Sequence, residues 1–341
     1  MNRRFFLLTA PGILLATSPV LARQEQEASP IVESYRRNYW VTMTTRLTIP
    51  EDRKVTRVRV WHALPTKRSW SETTDGHGAQ GVRFRPDDGK MERNTRYDSH
   101  HLYWEHENLS PGQTIEFQSS YKVRSAKRAP DFKLLAKASW SDLETNKPEK
   151  TLSEPLPTDV TQLLTDARNR ATPSDAVAAI CQWIDGNMRY DANVPFSPNN
   201  IHATLAARKG HCGHNQQLFR EFCDHLGVQT RSVSGLNLHT PNPVKASLYK
   251  VRRDFANIHT WSEVFFPGVG WVEVEPGRTE GSFDIPSNWI QNNRWFQCYS
   301  VWVNENGKEL IPRWRHVGDH QENDYKIENL IGYSETEPVS L

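Results

Sequence analysis

The first part of the chain is dominated by short runs in which apolar and polar residues alternate. The clearest run, at residues 40–50, has one apolar face made of Val41, Met43, Leu47 and Ile49. A period of two residues is typical of a strand with one buried face. The same alternation recurs at residues 58–64, 102–104 and 115–123. Because no helical pattern separates these runs, the sequence predicts an antiparallel β-sandwich.

Beyond about residue 172 the apolar spacing changes to that of amphipathic helices. Ser174 is a good N-cap, and the helix predicted after it has an apolar face made of Val177, Ile180, Ile184 and Met188. A second helix is predicted to begin at or just after Cys212 and to end at Gly227. Strand patterns follow at residues 228–235, 260–266 and 271–275. Helices followed by an antiparallel sheet predict an α+β domain.

Prolines and turn signals suggest where the two patterns part. A linker marked by prolines covers residues 147–157. We therefore predict an immunoglobulin-like sandwich over residues 31–150 and an α+β domain over residues 160–320. Residues 298–307 favour one more hairpin within the second domain, and residues 332–341 are predicted to be a flexible tail.

The amino terminus has the features of an export signal. Arg3 and Arg4 form a positive segment ahead of an apolar stretch, and Val20 and Ala22 supply the small side chains that a signal peptidase needs. Proline and glycine interrupt that stretch, which is too short for a bilayer that requires about 20 apolar residues. The arginine pair before Phe-Phe-Leu resembles a twin-arginine signal. We predict that residues 1–22 are a cleaved signal peptide and that the mature chain is periplasmic or extracellular, without stable membrane insertion.

Composition narrows the classes of partner. Hydrophobic residues make up 37% of the chain and aromatic residues 10%, which is enough to fill packed cores. The formal net charge is +2, so we expect no nucleic-acid partner. His211 and His214 flank Cys212, but no two cysteines are spaced C-x-x-C, so we predict no zinc site and no cofactor. Two of the remaining cysteines could pair outside the cytoplasm, and the pairing is left open among Cys181, Cys223 and Cys298.

Cys212 combines the features of a thiol nucleophile. It lies between Gly210-His211 and Gly213-His214, in a turn at the predicted start of a helix. Unpaired N–H groups and the positive end of the helix dipole favour a thiolate there. The N–H of Cys212 itself could stabilise an oxyanion. A second oxyanion donor is left open among Tyr190, Asn199 and Asn200.

A thiolate nucleophile needs a base that a third group orients. His259 opens the strand pattern that continues to Val264, and Glu275 ends the pattern that begins at Trp271. If the two strands pair through the Pro-Gly-Val-Gly loop between them, their distant ends lie side by side, and the carboxylate of Glu275 would hold the imidazole of His259. We therefore predict Cys212 as the nucleophile, His259 as the base and Glu275 as the orienting carboxylate.

At these motifs the sequence resembles the transglutaminase-like superfamily. The family pattern is Gly-x-Cys at a helix start, then His-x-Trp-x-Glu-Val, then Trp followed four residues later by Asp-Pro. The matching segments, in the same order, are Gly210–Cys212, His259–Val264 and Trp271 with Glu275–Pro276. The resemblance covers residues 175–276 and implies a papain-like fold with the family's nucleophile at Cys212 and its base at His259. Glu275 departs from the family, which usually has Asp at this position.

The resemblance implies acyl transfer from a peptide or protein amide through a cysteine thioester. For an exported chain we favour hydrolysis over glutamine–lysine crosslinking. The alternative is a non-catalytic peptide-binding or scaffold module, which the altered third residue would fit. By analogy alone, the leading sandwich would position or recognise the substrate.

Overall fold

The computed structural model describes residues 31–65, 71–73, 82–94, 99–143, 155–191, 193–194, 201–238, 258–293, 299–310 and 325–336. The predicted signal peptide, the oxyanion candidates Asn199 and Asn200, and Cys298 lie outside the described residues. Within these ranges no helix is both long enough and apolar enough to cross a membrane.

Two antiparallel sheets form an all-β region. The first sheet is built on the long strand β1 (Ile31–Thr48), which lies between β7 (Thr114–Pro130) and β16 (Lys326–Thr336). Two short strands also pair with β7, namely β3 (Ser71–Thr73) and β4 (Arg83–Arg85). The second sheet contains, in spatial order, β15 (Lys308–Leu310), β14 (Tyr299–Glu305), β2 (Val55–Ala63), β6 (Ser99–Leu109) and β5 (Lys90–Asn94).

The inward faces of the two sheets share one hydrophobic core. Alternate residues of β1 and β7 supply one side of it, and alternate residues of β2 and β6 supply the other. The predicted alternation is therefore the alternation of buried and exposed positions, as in β7, where Phe117, Tyr121 and Val123 are fully buried. The strands predicted in the first part of the chain are confirmed, with bounds longer by several residues.

The last strands of the chain correct the predicted domain boundaries. Strand β14 pairs with β2, and β16 pairs with β1 from Asn38↔Thr336 to Thr48↔Lys326. The hairpin predicted at residues 298–307 therefore belongs to the all-β region and not to a domain spanning 160–320. Residues 332–336 are strand and not part of a flexible tail, because Ile331 and Tyr333 are buried in the shared core.

Helices and a third sheet lie between β7 and β14. The longer helices are α3 (Thr158–Arg168), α4 (Pro173–Asn187) and α6 (Cys212–His225), and the short ones are α1 (Phe132–Leu135), α2 (Trp140–Leu143) and α5 (Ile201–Ala207). The sequence predicted Ser174 as the N-cap of α4, but the N-cap in the structure is Thr172. The Thr172 hydroxyl accepts the backbone N–H of Asp175 at 3.1 Å, and Pro173 takes the first helical position, where its missing N–H costs nothing.

This third sheet has the spatial order β12-β11-β10-β13. Its strands are β10 (Thr230–Asn237), β11 (Ile258–Phe266), β12 (Gly270–Val274) and β13 (Trp289–Asn293). One face packs on α4 and α6 through Val264, Phe266, Val272 and Val274. The other face carries a small cluster of Val233, Trp261, Ile285 and Trp289. Helices covering one face of an antiparallel sheet make this part α+β, which confirms the predicted fold class.

Candidate active site

Cys212 is the first residue of α6, and two histidines define that helix end. The N-cap His211 accepts the backbone N–H of Gly213 at 3.1 Å through its Nδ1. The ring of His214 accepts the backbone N–H of His211 at 3.2 Å. This arrangement is a capping box made with imidazoles, so both histidines flanking Cys212 hold the helix start. Among the described residues no cluster of three or more His, Cys, Asp or Glu side chains has the arrangement of a metal site.

Gly210 is required by the same packing. A Cβ at this position would lie 2.5 Å from the Cβ of His214, closer than real Cβ contacts allow. Gly210 also belongs to the short strand β9 (Lys209–Gly210), which pairs in parallel with β8 (Arg189–Tyr190). The glycine before Cys212 therefore allows His214 to fold back under the turn.

The structure brings the three predicted site residues together. The imidazole Nε2 of His259 lies 2.5 Å from Oε2 of Glu275, and the side chain of His259 is also hydrogen-bonded to the thiol of Cys212. The other carboxylate oxygen of Glu275 accepts the backbone N–H of Gly277 at 3.2 Å. Strand pairing ends at Ser262↔Val274, so Glu275 follows the last paired residue, and its longer side chain reaches the ring.

The electrostatics of the three groups favour a charge-separated pair. Burial would raise the pKa of Cys212, but hydrogen bonds from His211 and His259 and the charge of His259 hold it well below its usual range. Burial would lower the pKa of His259, but the charge of Glu275 and the hydrogen bonds to Cys212 and Glu275 raise it to about 10. At neutral pH the arrangement therefore favours a thiolate beside an imidazolium.

The elements carrying Cys212 and His259 are tied to each other. The side-chain amide of Gln216, one turn beyond Cys212, donates to the backbone carbonyl of Trp261 on β11. Gly235 is the register partner of His259 on β10, and a Cβ there would lie 2.0 Å from the carbonyl oxygen of Ile290 and 2.6 Å from the ring of Trp261. The absence of a side chain at Gly235 thus lets three strands and the indole meet beside His259.

Two aromatic residues lie beside the site, and only Tyr190 was a candidate from the sequence; Trp289 was not anticipated. The ring of Trp289 lies 4.4 Å, centroid to centroid, from the ring of His259 and meets it edge-on. Tyr190, an open oxyanion candidate, is two-thirds exposed, and burial together with the charges of Cys212 and Glu275 raises its pKa. Its place on β8 beside Gly210 puts it near the thiol. Strands β8 and β9 pair although they are about twenty residues apart in the chain. No pattern in the sequence indicates this pairing.

Comparison with protein families gives residues 161–276 a match to the model of the transglutaminase-like superfamily. These residues belong to the transglutaminase-like superfamily. The matched segment runs from α3 through Pro276, so it contains Cys212, His259 and Glu275. No curated protein matches the chain by sequence.

Solved structures also align with the chain at low identity, and one of them shares its fold. A candidate cysteine protease from Cytophaga hutchinsonii aligns with a TM-score of 0.54 and 12% identity, covering 90% of this chain and 100% of that chain. Because that alignment covers nearly the whole chain, the shared fold includes the all-β region. The periplasmic domain of TgpA from Pseudomonas aeruginosa aligns with a TM-score of 0.34 and 15% identity, covering 75% of this chain and 95% of that chain.

Proposed function

We propose that the chain is an exported thiol enzyme that acts on peptide or protein amide bonds. The observation that carries the proposal is the contiguous set of Cys212 at a helix N-terminus, His259 on the neighbouring strand and Glu275 on the far side of the imidazole. The low pKa of the thiol and the high pKa of the imidazole are those that covalent catalysis by cysteine requires.

The geometry supports acyl transfer in two steps. The thiolate of Cys212 attacks the amide carbonyl carbon, the imidazolium of His259 gives its proton to the leaving amine, and the C–N bond breaks to leave a thioester. Water then attacks the thioester while His259 takes a proton from it, which releases the acid and restores the thiolate–imidazolium pair. Glu275 keeps the ring oriented and stabilises its positive charge throughout. Tyr190 remains a candidate for the second oxyanion donor.

Hydrolysis is the outcome we favour, with crosslinking as the second. The structural neighbour from Cytophaga hutchinsonii is named as a candidate protease, which supports a peptide substrate. A peptide library incubated with the mature chain, with and without a labelled primary amine, should yield new peptide ends and little incorporated amine. Predominant amine incorporation would instead assign crosslinking.

The pH dependence of alkylation tests whether the thiol is active. Because its pKa lies well below the usual range, Cys212 should react with iodoacetamide at nearly the same rate from about pH 6 to 8, whereas an ordinary thiol with a pKa of about 8.5 gains roughly tenfold per pH unit there. Burial raises the pKa of Cys181 and Cys223, so both should react slowly. Turnover should decline in alkali as His259 loses its proton at about pH 10. Peptide mapping after alkylation at each pH provides the measurement, and a non-catalytic scaffold would label no faster than a free thiol.

Export is part of the proposal and has its own test. The positive segment and the short apolar stretch at the amino terminus should direct the chain across the membrane, followed by cleavage after Ala22. Amino-terminal sequencing of protein from the extracytoplasmic fraction should begin at or near Arg23. Soluble cytoplasmic protein that retains Met1 would contradict export without affecting the chemistry.

A further inference from the structure

A buried arginine of the all-β region reaches the sheet that carries His259. Arg128 lies near the end of β7, and its side chain is 1% exposed. Its backbone exchanges both hydrogen bonds with Ile285, at 2.9 and 2.8 Å, in the segment that leads to β13. Its guanidinium forms a two-pronged ion pair with Glu273 of β12, with Nε 2.6 Å from Oε2 and Nη2 3.1 Å from Oε1.

The Arg128–Glu273 pair anchors both tryptophans that border His259. Oε1 of Glu273 accepts the indole N–H of Trp261 at 2.9 Å. Nη1 of Arg128 donates to the backbone carbonyl of Trp289 at 3.1 Å. The ring of Trp261 lies nearly parallel to that of His259, with centroids 6.0 Å apart, and the ring of Trp289 meets it edge-on. One guanidinium therefore fixes two of the surfaces against which the imidazole rests, Trp261 through Glu273 and Trp289 directly.

Stability alone does not explain this ion pair. Removing an arginine and a glutamate from water costs several kcal/mol per ion, and replacement of such a pair by apolar residues is often neutral or stabilising. What a buried, two-pronged arginine pair supplies is fixed geometry, because the planar fork holds the carboxylate in one orientation. Here that carboxylate orients an indole next to the imidazole.

We propose that Arg128, contributed by the all-β region, is a positioning residue that fixes the imidazole of His259 through Glu273, Trp261 and Trp289. The inference rests on the proposed function, because it gives the all-β region a role in assembling that same site. Arg128 is buried and touches none of the proposed reacting groups in the described contacts. Its removal should therefore lower kcat and leave KM nearly unchanged.

The principal test is the double variant Arg128→Met/Glu273→Gln, which leaves neither charge buried without its partner. Arg128→Met alone would leave the buried charge of Glu273 without its partner and is expected to be strongly destabilising, so it is a poor probe. We expect the folded double variant to lose about tenfold in kcat, since small displacements of a catalytic group are costly. KM should stay within about twofold. Alkylation of Cys212 should also weaken on the acid side, by roughly tenfold at low pH, because a displaced imidazolium stabilises the thiolate less.

Arg128→Lys is the conservative partner. It retains the positive charge beside Glu273 but lacks the planar guanidinium that binds the carboxylate through two N–H groups. We therefore expect a loss of kcat smaller than that of the double variant, again without a change in KM. Because it leaves no isolated charge, it carries the test if the double variant does not fold. Circular dichroism and thermal unfolding establish that each variant is folded.

Two control variants separate positioning from general loosening. Lys127→Met/Asp284→Asn removes a 2.7 Å ion pair that joins the same two segments one residue away from each anchor. Arg231→Met/Glu263→Gln removes an ion pair in the same sheet whose carboxylate is fully buried. Both should retain kcat within about twofold. Equal losses in these controls would overturn the positioning role.

The outcomes also distinguish this inference from the proposed function. Folded Arg128 variants with the parent kcat and the parent alkylation profile would overturn the positioning role and leave the proposed function standing. A parent chain whose Cys212 alkylates no faster than an ordinary thiol would overturn the proposed function, and the positioning role with it. A fall in kcat at constant KM, with weakened alkylation in acid, supports both.

Discussion

Replacing Cys212 by alanine should reduce peptide turnover by about a thousandfold or more, equivalent to about 4 kcal/mol at the transition state. The thioester cannot form without the sulfur, and residual activity would come from substrate binding and oxyanion stabilisation alone. The variant should fold as the parent does, because the helix start is held by His211 and His214 and not by the thiol. Turnover of a peptide substrate, measured with unfolding curves of both proteins, provides the check.

Cys223→Ala is the matched control for that substitution. It removes a second thiol from the same helix, but one that is fully buried in the core between α4 and α6. We expect turnover close to that of the parent and a stability loss of about 1 kcal/mol from the small cavity. If Cys223→Ala abolished turnover while Cys212→Ala did not, the proposed nucleophile would be wrong.

The site residues could be predicted from the sequence because the elements that carry them are local. The helix start at Cys212 follows from the residues on either side of it, and the hairpin of β11 and β12 is closed by a loop of a few residues. Register counted outward from that loop is enough to place Glu275 near His259. Capping by His211 and His214 was missed, since imidazoles are not the usual capping side chains.

The domain boundary could not be predicted, because it depends on pairing between distant segments. Strand β16 joins β1 across nearly the whole chain, as in the hydrogen bond of 2.7 Å between Thr45 and Asn329. No strand is predicted from the sequence at residues 326–336, and the sequence of such a segment does not specify which open sheet edge it would cover. A position near the end of the chain favoured a flexible tail. Residues 332–336 are instead ordered as a strand, because Ile331 and Tyr333 are buried in the core.

Arg128 shows the same limit within the site. It lies in the run Ser-Ala-Lys-Arg-Ala-Pro, which suggests a solvated strand end. The alternation of β7 shifts by one residue where Ser125 and Ala126 are both buried, and this shift turns Arg128 inward. Its partner Glu273 lies 145 residues further along. A single sequence contains no signal for a contact of that separation.

Removing the charge of Glu275 should reduce turnover by about ten- to a thousandfold, or about 1.4 to 4 kcal/mol, which is less than the loss from Cys212→Ala. In Glu275→Gln, the amide can still accept from Gly277 and contact the ring of His259, but it cannot stabilise the imidazolium. The thiolate should then be lost at a higher pH, so the acid limb of Cys212 alkylation should move toward neutrality. Turnover and alkylation measured from acid to neutral pH test both effects.

Glu275→Asp separates charge from reach. Asp is the usual residue of the family at this position, yet here the strand pairing ends at Val274 and the longer glutamate spans the 2.5 Å contact with His259. If the backbone can move to accommodate the shorter side chain, Asp should keep most of the activity that Gln loses, and the role of Glu275 is electrostatic and positional. If Glu275→Gln and Glu275→Asp both kept the parent activity, Glu275 would have no role in turnover. Because Glu273 is bound by Arg128 and the indole of Trp261, it could not replace Glu275 without breaking the pair that fixes the tryptophans.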